Sequence, residues 1–225
     1  MRRGVNMVYI VENNGVYGLT KGQFSATADR GSKSKRGAGA LDQPIDLVGM
    51  AIGLGASFVA RSFSGDKSQL VPLIKAAFEH KGAAFIDVIS PCVAFNNHAG
   101  STKSFDYVRE HNIAVNALDV IMGREPIEVD YAEGGSQAVT MHDGSTVVLR
   151  KLDANHDCRD RSAALATLDR ARISCEIATG LMYIDDEASE LHEVLGTTSR
   201  PLNQLSEREL CPGSRTLDAV NASLR

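Results

Sequence analysis

The sequence predicts an α/β protein whose first half builds a parallel sheet. Three short apolar runs rich in β-branched and aromatic residues, at residues 7–11, 57–62 and 83–90, alternate with two segments of helical periodicity. That alternation favours parallel strands joined by right-handed crossovers. Further along the chain the pattern changes, and we expect a small α+β extension there. The predicted domains are 1–122 and 123–225.

Each element of the first half has a local signal. The continuous apolar run at residues 7–11 is typical of a strand that is fully buried. The loop 12–43 is rich in Gly, Ser and Lys, and such long loops in compact domains are usually functional or mobile. Pro44 then opens a helical pattern that Gly55 closes.

The second helix of this half has an N-terminal signal and an internal conflict. Asp66 or Ser68 can cap its first turn. Pro72 cannot donate a backbone hydrogen bond, so it implies a late start or a kink. Gly82 is expected to end the helix before the third strand.

The second half predicts mixed elements. Its signals are an amphipathic helix at 105–118, a β-hairpin at 137–152 with Asp143–Gly144 as the turn, a helix at 160–178, a strand at 180–184, and mixed helix and loop at 186–225.

Charge and cysteine usage exclude several classes of protein. The formal charge is −4 and no sustained basic tract occurs, which argues against a nucleic-acid partner. No apolar run approaches the roughly 18 residues that cross a bilayer, so no membrane association is expected. The cysteines are scattered without a C-x-x-C pair, which favours free thiols in a reducing cytoplasm; they are Cys92, Cys158, Cys175 and Cys211.

The stretch "VYIVENNGVYGLTKGQ", residues 8–23, carries the main functional signal. Glu12, Asn13 and Asn14 offer side-chain oxygens at the end of a strand, where ligands collect in open parallel sheets. Thr20 and Lys21 can donate to phosphate, and a Gly-containing turn can form an anion nest. Oxygen ligands beside phosphate donors indicate a Mg²⁺–diphosphate site.

Composition alone favours a simpler interpretation of this stretch. The asparagine side chains of a strand-to-loop turn often satisfy nearby backbone groups. The stretch also lacks the G-x-x-x-x-G-K-[ST] and G-x-G-x-x-G patterns of other phosphate-binding loops.

The order of residues in "ENNGVYGLTKGQFSAT" shifts this balance. It resembles the second half of the thiamine-diphosphate motif, N-N-x-x-Y-G-L-T-x-G-Q, in the β subunit of 2-oxoacid:ferredoxin oxidoreductases. The resemblance continues through "SFSGDKSQLVPLIKAAFEHKGAAFIDVISPCVAFNNHAGSTKSFDYVREHN" and on to "LCPGS", and so covers essentially the whole chain.

The resemblance implies a fold and a set of site residues. The first domain would be the C-terminal part of a parallel-sheet thiamine-diphosphate-binding fold. Asn14, by its side chain, and Val16, by its carbonyl, match the Mg²⁺ ligands, and Cys92 matches the last cysteine ligand of a [4Fe–4S] cluster. The diphosphate cradle would come from Gly18, Leu19 and Thr20.

The remaining candidate side chains receive no role. Cys158 and Cys175 are interpreted as structural, the latter inside the helix at 160–178. Cys211, in "LCPGS", matches the sequence pattern of the family, and no function is assigned to it. His98 and His111 are interpreted as polar surface or loop residues.

The resemblance also implies an activity and partners. The implied activity is the oxidative decarboxylation of a 2-oxoacid, 2-oxoglutarate or pyruvate, with coenzyme A to acyl-CoA and CO₂. The electrons released would reduce ferredoxin. An α subunit, or an α/γ fusion, would complete the cytoplasmic enzyme. The alternatives are a thiamine-diphosphate decarboxylase or synthase without redox centres, and a non-catalytic fragment that only docks to the partner subunit.

Parts of the family pattern do not occur in this sequence. G-D-G, whose aspartate is the acidic Mg²⁺ ligand, and the other three cluster cysteines are expected before the first strand. We therefore expect a C-terminal fragment, a wrongly assigned start or a truncated relative. One cysteine cannot hold a four-thiolate cluster, the Mg²⁺ site would be weaker, and a sheet edge would be exposed.

Overall fold

The computed structural model describes most of the chain, in two compact units. The described residues are 1–17, 23–28, 30, 40–90, 127–141, 146–211 and 213–224. The first unit is Met1–Leu191 and the second is His192–Arg225.

The described elements follow the predicted order. The strands are β1 Met7–Asn13, β2 Val16–Tyr17, β3 Gln23–Phe24, β4 Phe58–Phe63, β5 Ala83–Ile89, β6 Ser136–Thr140, β7 Thr146–Lys151 and β8 Ile177–Ile184. The helices are α1 Leu47–Gly53, α2 Lys67–Glu79, α3 Arg161–Ile173, α4 Leu191–Leu195, α5 Glu207–Leu210 and α6 Ser214–Ser223.

A six-stranded mixed sheet organises the first unit, in the order β1-β5-β4-β8-β7-β6. The predicted parallel sheet is confirmed for β1, β5 and β4. β8 adds antiparallel to β4, β7 pairs parallel with β8, and β6 pairs antiparallel with β7. The second half of the chain thus extends the same sheet. The predicted boundary between residues 122 and 123 lies outside the described residues and stays a prediction.

β5 is the most buried strand because helices cover both of its faces. Ala84, Ile86 and Val88 point to the α2 face, where they pack with Phe58. Phe85 points to the opposite face, in a cluster with residues of α1 and α3. A strand buried on both faces has a nearly continuous apolar sequence, which explains why "AAFIDVI" could be predicted as a strand.

β1 lies at the edge of the sheet, and the prediction that it is fully buried is wrong. Met7 is 42% exposed, Tyr9 51% and Ile10 39%. An apolar run indicates that a strand is suited to burial. Whether the strand is in fact buried depends on neighbouring elements, which the run itself does not determine. Among the described strands β1 pairs with β5 alone, which agrees with the expected exposed edge, and such an edge can template pairing with another chain.

The N-terminal caps of both first-half helices are aspartates. Asp46 Oδ1 accepts the Val48 N–H at 3.1 Å, so α1 begins three residues after Pro44. Asp66 Oδ1 accepts the Gln69 N–H at 3.1 Å, which settles the cap of α2 in favour of Asp66. Pro72 lies inside α2, and the late start that it was expected to cause does not occur.

The predicted hairpin and third helix are present with altered ends. β6 and β7 pair antiparallel as expected, and the predicted turn residues lie outside the described part. α3 is capped by Asp160 and ends at Ile173, five residues earlier than predicted. Cys175 follows the helix with φ of 55°, so its predicted helical placement is wrong. The thiols of Cys158, Cys175 and Cys211 are free.

A buried ion pair ties β7 to the N-terminus of α2. Lys151 Nζ lies 2.8 Å from Asp66 Oδ2, and the two side chains are 12% and 1% exposed. The same ammonium group sits 4.5 Å from the centre of the Tyr131 ring. Burial opposes ionisation of Asp66, but donors from Lys151, Ser68 and Gln69 outweigh it and lower the pKa of this carboxyl.

The second unit is built from short helices. α5 begins at a capping box in which Glu209 accepts the Ser206 N–H at 2.9 Å, and Arg200 forms an ion pair with Glu209. α6 exposes Leu217 and Val220. In the part of the chain that the structure describes, no helix has the length and apolar character needed to cross a membrane.

The exposed edge predicts self-association. We expect the 225-residue chain to form oligomers at micromolar concentration, and Ile10→Lys to reduce this because a charge on an edge strand opposes strand pairing. Analytical ultracentrifugation measures the effect. The matched control is Ile173→Lys, at an exposed position at the end of α3, which should leave association unchanged. A wild-type chain that is monomeric under these conditions would contradict the prediction.

The lowered pKa of Asp66 predicts a specific dependence of stability on pH. A depressed carboxyl pKa stabilises the fold above the unfolded value of 3.8, and this contribution is lost as pH falls through the folded value. Asp66→Asn should therefore lower the free energy of unfolding by about 3 kcal/mol at neutral pH, and by progressively less below about pH 4.

Urea unfolding at several pH values tests this dependence. Asp186→Asn is the control, because its ion pair with Arg159 is exposed and exposed pairs contribute about 0–1 kcal/mol. An effect of Asp66→Asn that stays constant from pH 7 to pH 3 would refute the assignment.

Candidate functional site

The carboxyl ends of β1, β5 and β4 meet at one edge of the sheet. β1 ends at Asn13, and Asn14 and Gly15 then turn the chain into the short hairpin of β2 and β3. Gly15 has φ of +69°, a conformation that side chains other than Gly, Asn and Asp rarely adopt. The turn is therefore encoded locally by the sequence Asn14–Gly15.

The hairpin directs the backbone polar groups of Val16 away from β3. The Ser25 N–H donates to the Gly15 carbonyl at 3.0 Å, and Val16 lies opposite Phe24 in the next pair. Antiparallel ladders alternate hydrogen-bonded and non-bonded pairs, so the N–H and C=O of Val16 point to the outer side. There the Val16 N–H donates to Asn14 Oδ1 at 3.1 Å.

This arrangement fits part of a Mg²⁺ site. Asn14 Oδ1 and the Val16 carbonyl are neutral oxygen donors from one tight turn, on the same side of β2. An amide oxygen that accepts one hydrogen bond keeps a second lone pair for a cation. The simpler interpretation, in which Asn14 satisfies a local backbone group, is confirmed. The Mg²⁺ role of Asn14 is compatible with that bond and stays a prediction.

A buried carboxylate lies behind this turn. Asp87, 1% exposed, projects from β5 and accepts Arg61 Nε at 2.8 Å. Arg61 Nη2 also contacts Asp46 Oδ1 at 2.5 Å, which connects β4 to the N-terminus of α1. Because a buried carboxylate is unfavourable without a counter-charge, Arg61 is what permits Asp87 in the sheet.

Asn13 joins the buried carboxylate to the hairpin. Its Nδ2 donates to Asp87 Oδ1 at 3.2 Å, and its Oδ1 accepts the Thr27 hydroxyl at 2.7 Å. Thr27 Oγ1 lies 2.7 Å from Ser25 Oγ, directly after β3. The two ends of the segment from residue 14 to residue 24 are thus held together through one side chain.

The candidate site lies on an exposed surface. Asn14 is exposed, and two clefts of about 560 and 500 Å³ elsewhere among the described residues are not lined by Asn14 or Val16. Within the described ranges no group of three or more His, Cys, Asp or Glu side chains could hold a metal ion. Two oxygens of this turn are therefore a partial coordination shell, since Mg²⁺ takes six ligands.

Several predicted site residues are not described. They are the cradle residues Gly18, Leu19 and Thr20, the phosphate donor Lys21 and the cluster ligand Cys92. His98 and His111, which were interpreted as polar surface or loop residues, also lie outside the described residues. Their predicted roles stay predictions. Glu12, which was considered as an oxygen donor, is exposed on β1.

The sequence interpretation missed Asp87, Arg61 and Thr27. A signal was available for two of them, because Asp87 interrupts the apolar run "AAFIDVI" and Arg61 interrupts "FVARSF". A charged residue in a strand buried on both faces is rarely unpaired, so opposite charges in adjacent strands indicate an ion pair. Thr27 had no such signal in its polar loop.

Comparison with protein families defines the class. Residues 1–88 match the family described as the thiamine pyrophosphate enzyme, C-terminal TPP binding domain. The matched region contains β1, the Asn14–Gly15 turn, Arg61 and Asp87. This part of the chain is a thiamine-diphosphate-binding domain of the α/β class.

Individual relatives indicate which thiamine-diphosphate enzymes the chain is similar to. The chain is 37% identical over 128 residues to the 2-oxoglutarate oxidoreductase subunit KorB of Mycobacterium tuberculosis, which covers 56% of this chain and 33% of the relative. It is 46% identical over 101 residues to the 2-oxoacid:ferredoxin oxidoreductase subunit beta of a Sulfolobus species, covering 43% and 32%.

A solved structure agrees with these relatives. The 2-oxoglutarate:ferredoxin oxidoreductase from Magnetococcus marinus, with 2-oxoglutarate, coenzyme A and succinyl-CoA bound, matches with a TM-score of 0.58 and 26% identity. The match covers 90% of this chain and 57% of that chain.

The chain is thus similar to the β subunits of 2-oxoacid:ferredoxin oxidoreductases, which agrees with the resemblance found in the sequence. The chain spans about a third of the length of these two curated relatives.

The buried pair predicts a stability effect at the site. Arg61→Met keeps most of the side-chain volume but leaves Asp87 without its cation, so we expect a loss of about 3–5 kcal/mol in the free energy of unfolding at neutral pH. Chemical denaturation measures it. Arg159→Met, which removes an exposed partner of Asp186, is the control and should cost less than about 1 kcal/mol. Equal effects of the two substitutions would contradict a structural role for the Arg61–Asp87 pair.

Proposed function

We propose that this chain supplies one wall of a Mg²⁺–thiamine diphosphate site in a 2-oxoacid:ferredoxin oxidoreductase. The observation that carries the proposal is the Asn14–Val16 turn, which presents a side-chain and a backbone oxygen on one side of β2 at the carboxyl end of the sheet. The family match over residues 1–88 supports diphosphate as the ligand that shares the cation.

The roles of this chain's residues are binding and orientation. Asn14 Oδ1 and the Val16 carbonyl would hold Mg²⁺, and Gly18, Leu19 and Thr20 would cradle the diphosphate with backbone groups. When bound, thiamine diphosphate supplies the carbanion that attacks the keto carbon of a 2-oxoacid. The remaining Mg²⁺ ligands would have to come from the diphosphate, from water and from groups other than this turn.

The proposal extends to the reaction of the whole enzyme. That reaction would be the oxidative decarboxylation of 2-oxoglutarate or pyruvate with coenzyme A to acyl-CoA and CO₂, with ferredoxin as electron acceptor. An α or α/γ subunit would be the partner of this chain. Cys92 would be one ligand of a [4Fe–4S] cluster that needs three thiolates from elsewhere. The names of the relatives, which are oxidoreductases, favour this reaction over a decarboxylase or synthase without redox centres.

A docking role without turnover is the second candidate function. It is favoured by the exposed position of Asn14 and by the partial coordination shell that the described residues offer. In that case the chain would co-purify with the partner subunit and bind cofactor weakly.

Cofactor binding by the isolated chain tests the proposal. We expect isothermal titration calorimetry to detect thiamine diphosphate binding in millimolar Mg²⁺ and to lose it in EDTA. Asn14→Ala should weaken binding about tenfold or more, because it removes one of two protein oxygens from the cation. Asn14→Asp is the matched variant that keeps an oxygen and the acceptor for the Val16 N–H, and it should bind at least as well as wild type.

The outcomes separate the two candidates. Mg²⁺-dependent binding that is sensitive to Asn14→Ala supports the cofactor site. Failure of the wild-type chain to bind, together with capture of an α subunit, would favour docking alone. Binding that is indifferent to Mg²⁺ and to Asn14 would refute the proposed turn.

A further inference from the structure

We infer that Asn13, held by the buried Asp87, is a positioning residue that fixes the metal-binding turn through Thr27. The inference rests on the proposed function for its consequence, but its geometry is independent of any ligand. Asn13 was first considered as an oxygen donor for Mg²⁺, but its side-chain oxygen accepts the Thr27 hydroxyl at 2.7 Å. Thr27 is not among the residues predicted to contact Mg²⁺ or diphosphate.

The hydrogen bonds form a chain with one possible direction. Asp87 is paired with Arg61 and accepts only, so it must receive the Nδ2 group of Asn13. The amide oxygen of Asn13 is then turned toward Thr27, whose hydroxyl donates to it at 2.7 Å. Because that hydroxyl has one proton, Ser25 Oγ must donate to Thr27 Oγ1. The three donor groups of this chain, on Ser25, Thr27 and Asn13, thus point their protons toward one buried anion.

This chain closes the hairpin at its base. Asn13 precedes the Asn14–Gly15 turn, and Ser25 and Thr27 follow β3, so the side chains join the two ends of the intervening segment. The backbone bond from the Ser25 N–H to the Gly15 carbonyl, 3.0 Å long, lies beside it. A polarised chain in a half-buried setting is stronger than the same bonds in water.

The consequence is a preorganised pair of oxygens. β2 and β3 each contain two residues, and a hairpin this short has little stability of its own. Its orientation therefore depends on the side chains at its base. Fixing those side chains to Asp87, on the middle one of the three parallel strands, orients Asn14 and Val16 before a cation arrives, which lowers the cost of binding.

Thr27 offers a matched pair of variants for the test. Thr27→Val removes the hydroxyl at nearly constant shape, and Thr27→Ser keeps it. The first should weaken Mg²⁺-dependent thiamine diphosphate binding about three- to tenfold, the range for loss of one hydrogen bond, while the second stays near wild type. The melting temperatures of both should match wild type, since Thr27 lies in a half-buried loop outside the sheet.

Hydrogen–deuterium exchange of the ligand-free chain provides the second readout. Thr27→Val should accelerate exchange at Val16 and Ser25 and leave β5 unchanged, whereas Thr27→Ser should not. Asn13→Asp, which places a second carboxylate against Asp87, should accelerate the same amides.

The outcomes distinguish this inference from the proposed function. Unchanged amide exchange at Val16 and Ser25 in Thr27→Val would overturn the inference that Asn13 and Thr27 fix the turn. Faster exchange with unchanged thiamine diphosphate affinity would also overturn it, because the hydrogen-bond chain would then not position the Mg²⁺ ligands. A wild-type chain that binds no thiamine diphosphate contradicts the proposed function, and the exchange comparison still decides whether Asn13 and Thr27 fix the turn.

Discussion

The buried carboxylate of Asp87 is the constraint around which this end of the sheet is arranged. It occupies the central parallel strand, where an uncompensated charge would be strongly destabilising, so the adjacent strand must supply Arg61. Arg61 in turn reaches Asp46, which caps α1. On the other side Asp87 receives Asn13, and through it the turn that follows β1. A single charge thereby connects three strands, one helix and the candidate site.

The position of β1 links the candidate site to the exposed edge. The strand that carries Asn13 at its end is paired on one side with β5 and exposes Met7, Tyr9 and Ile10. The site is accordingly held from the β5 side, and none of the described strands pairs with β1 on its other side. The partial coordination shell of the turn and the exposure of the strand are two consequences of the same geometry. The relatives, of whose length this chain spans about a third, contain sequence that this chain does not match.

Local features were predictable from the sequence and long-range ones were not. The apolar runs located β4 and β5, and Asn14–Gly15 located the turn, because each signal lies within a few residues. The burial of β1 and the antiparallel addition of β8 depend on neighbours distant in sequence, and the former was predicted wrongly. The Arg61–Asp87 pair joins residues 26 positions apart, and Asn13 lies 74 positions from Asp87. The two charges were visible in apolar strands, but their pairing required the register of the sheet.

Paramagnetic mapping of the metal position tests the central claim most directly. Mn²⁺ can replace Mg²⁺ at oxygen sites, and it broadens the NMR signals of nearby amides. With inorganic diphosphate present, the account predicts selective broadening of the amides of Asn14, Gly15 and Val16, with β7 and β8 unaffected. Broadening centred elsewhere, for example at the carboxylates of Asp153 and Glu133, would contradict the assignment of the Asn14–Val16 turn as the cation site.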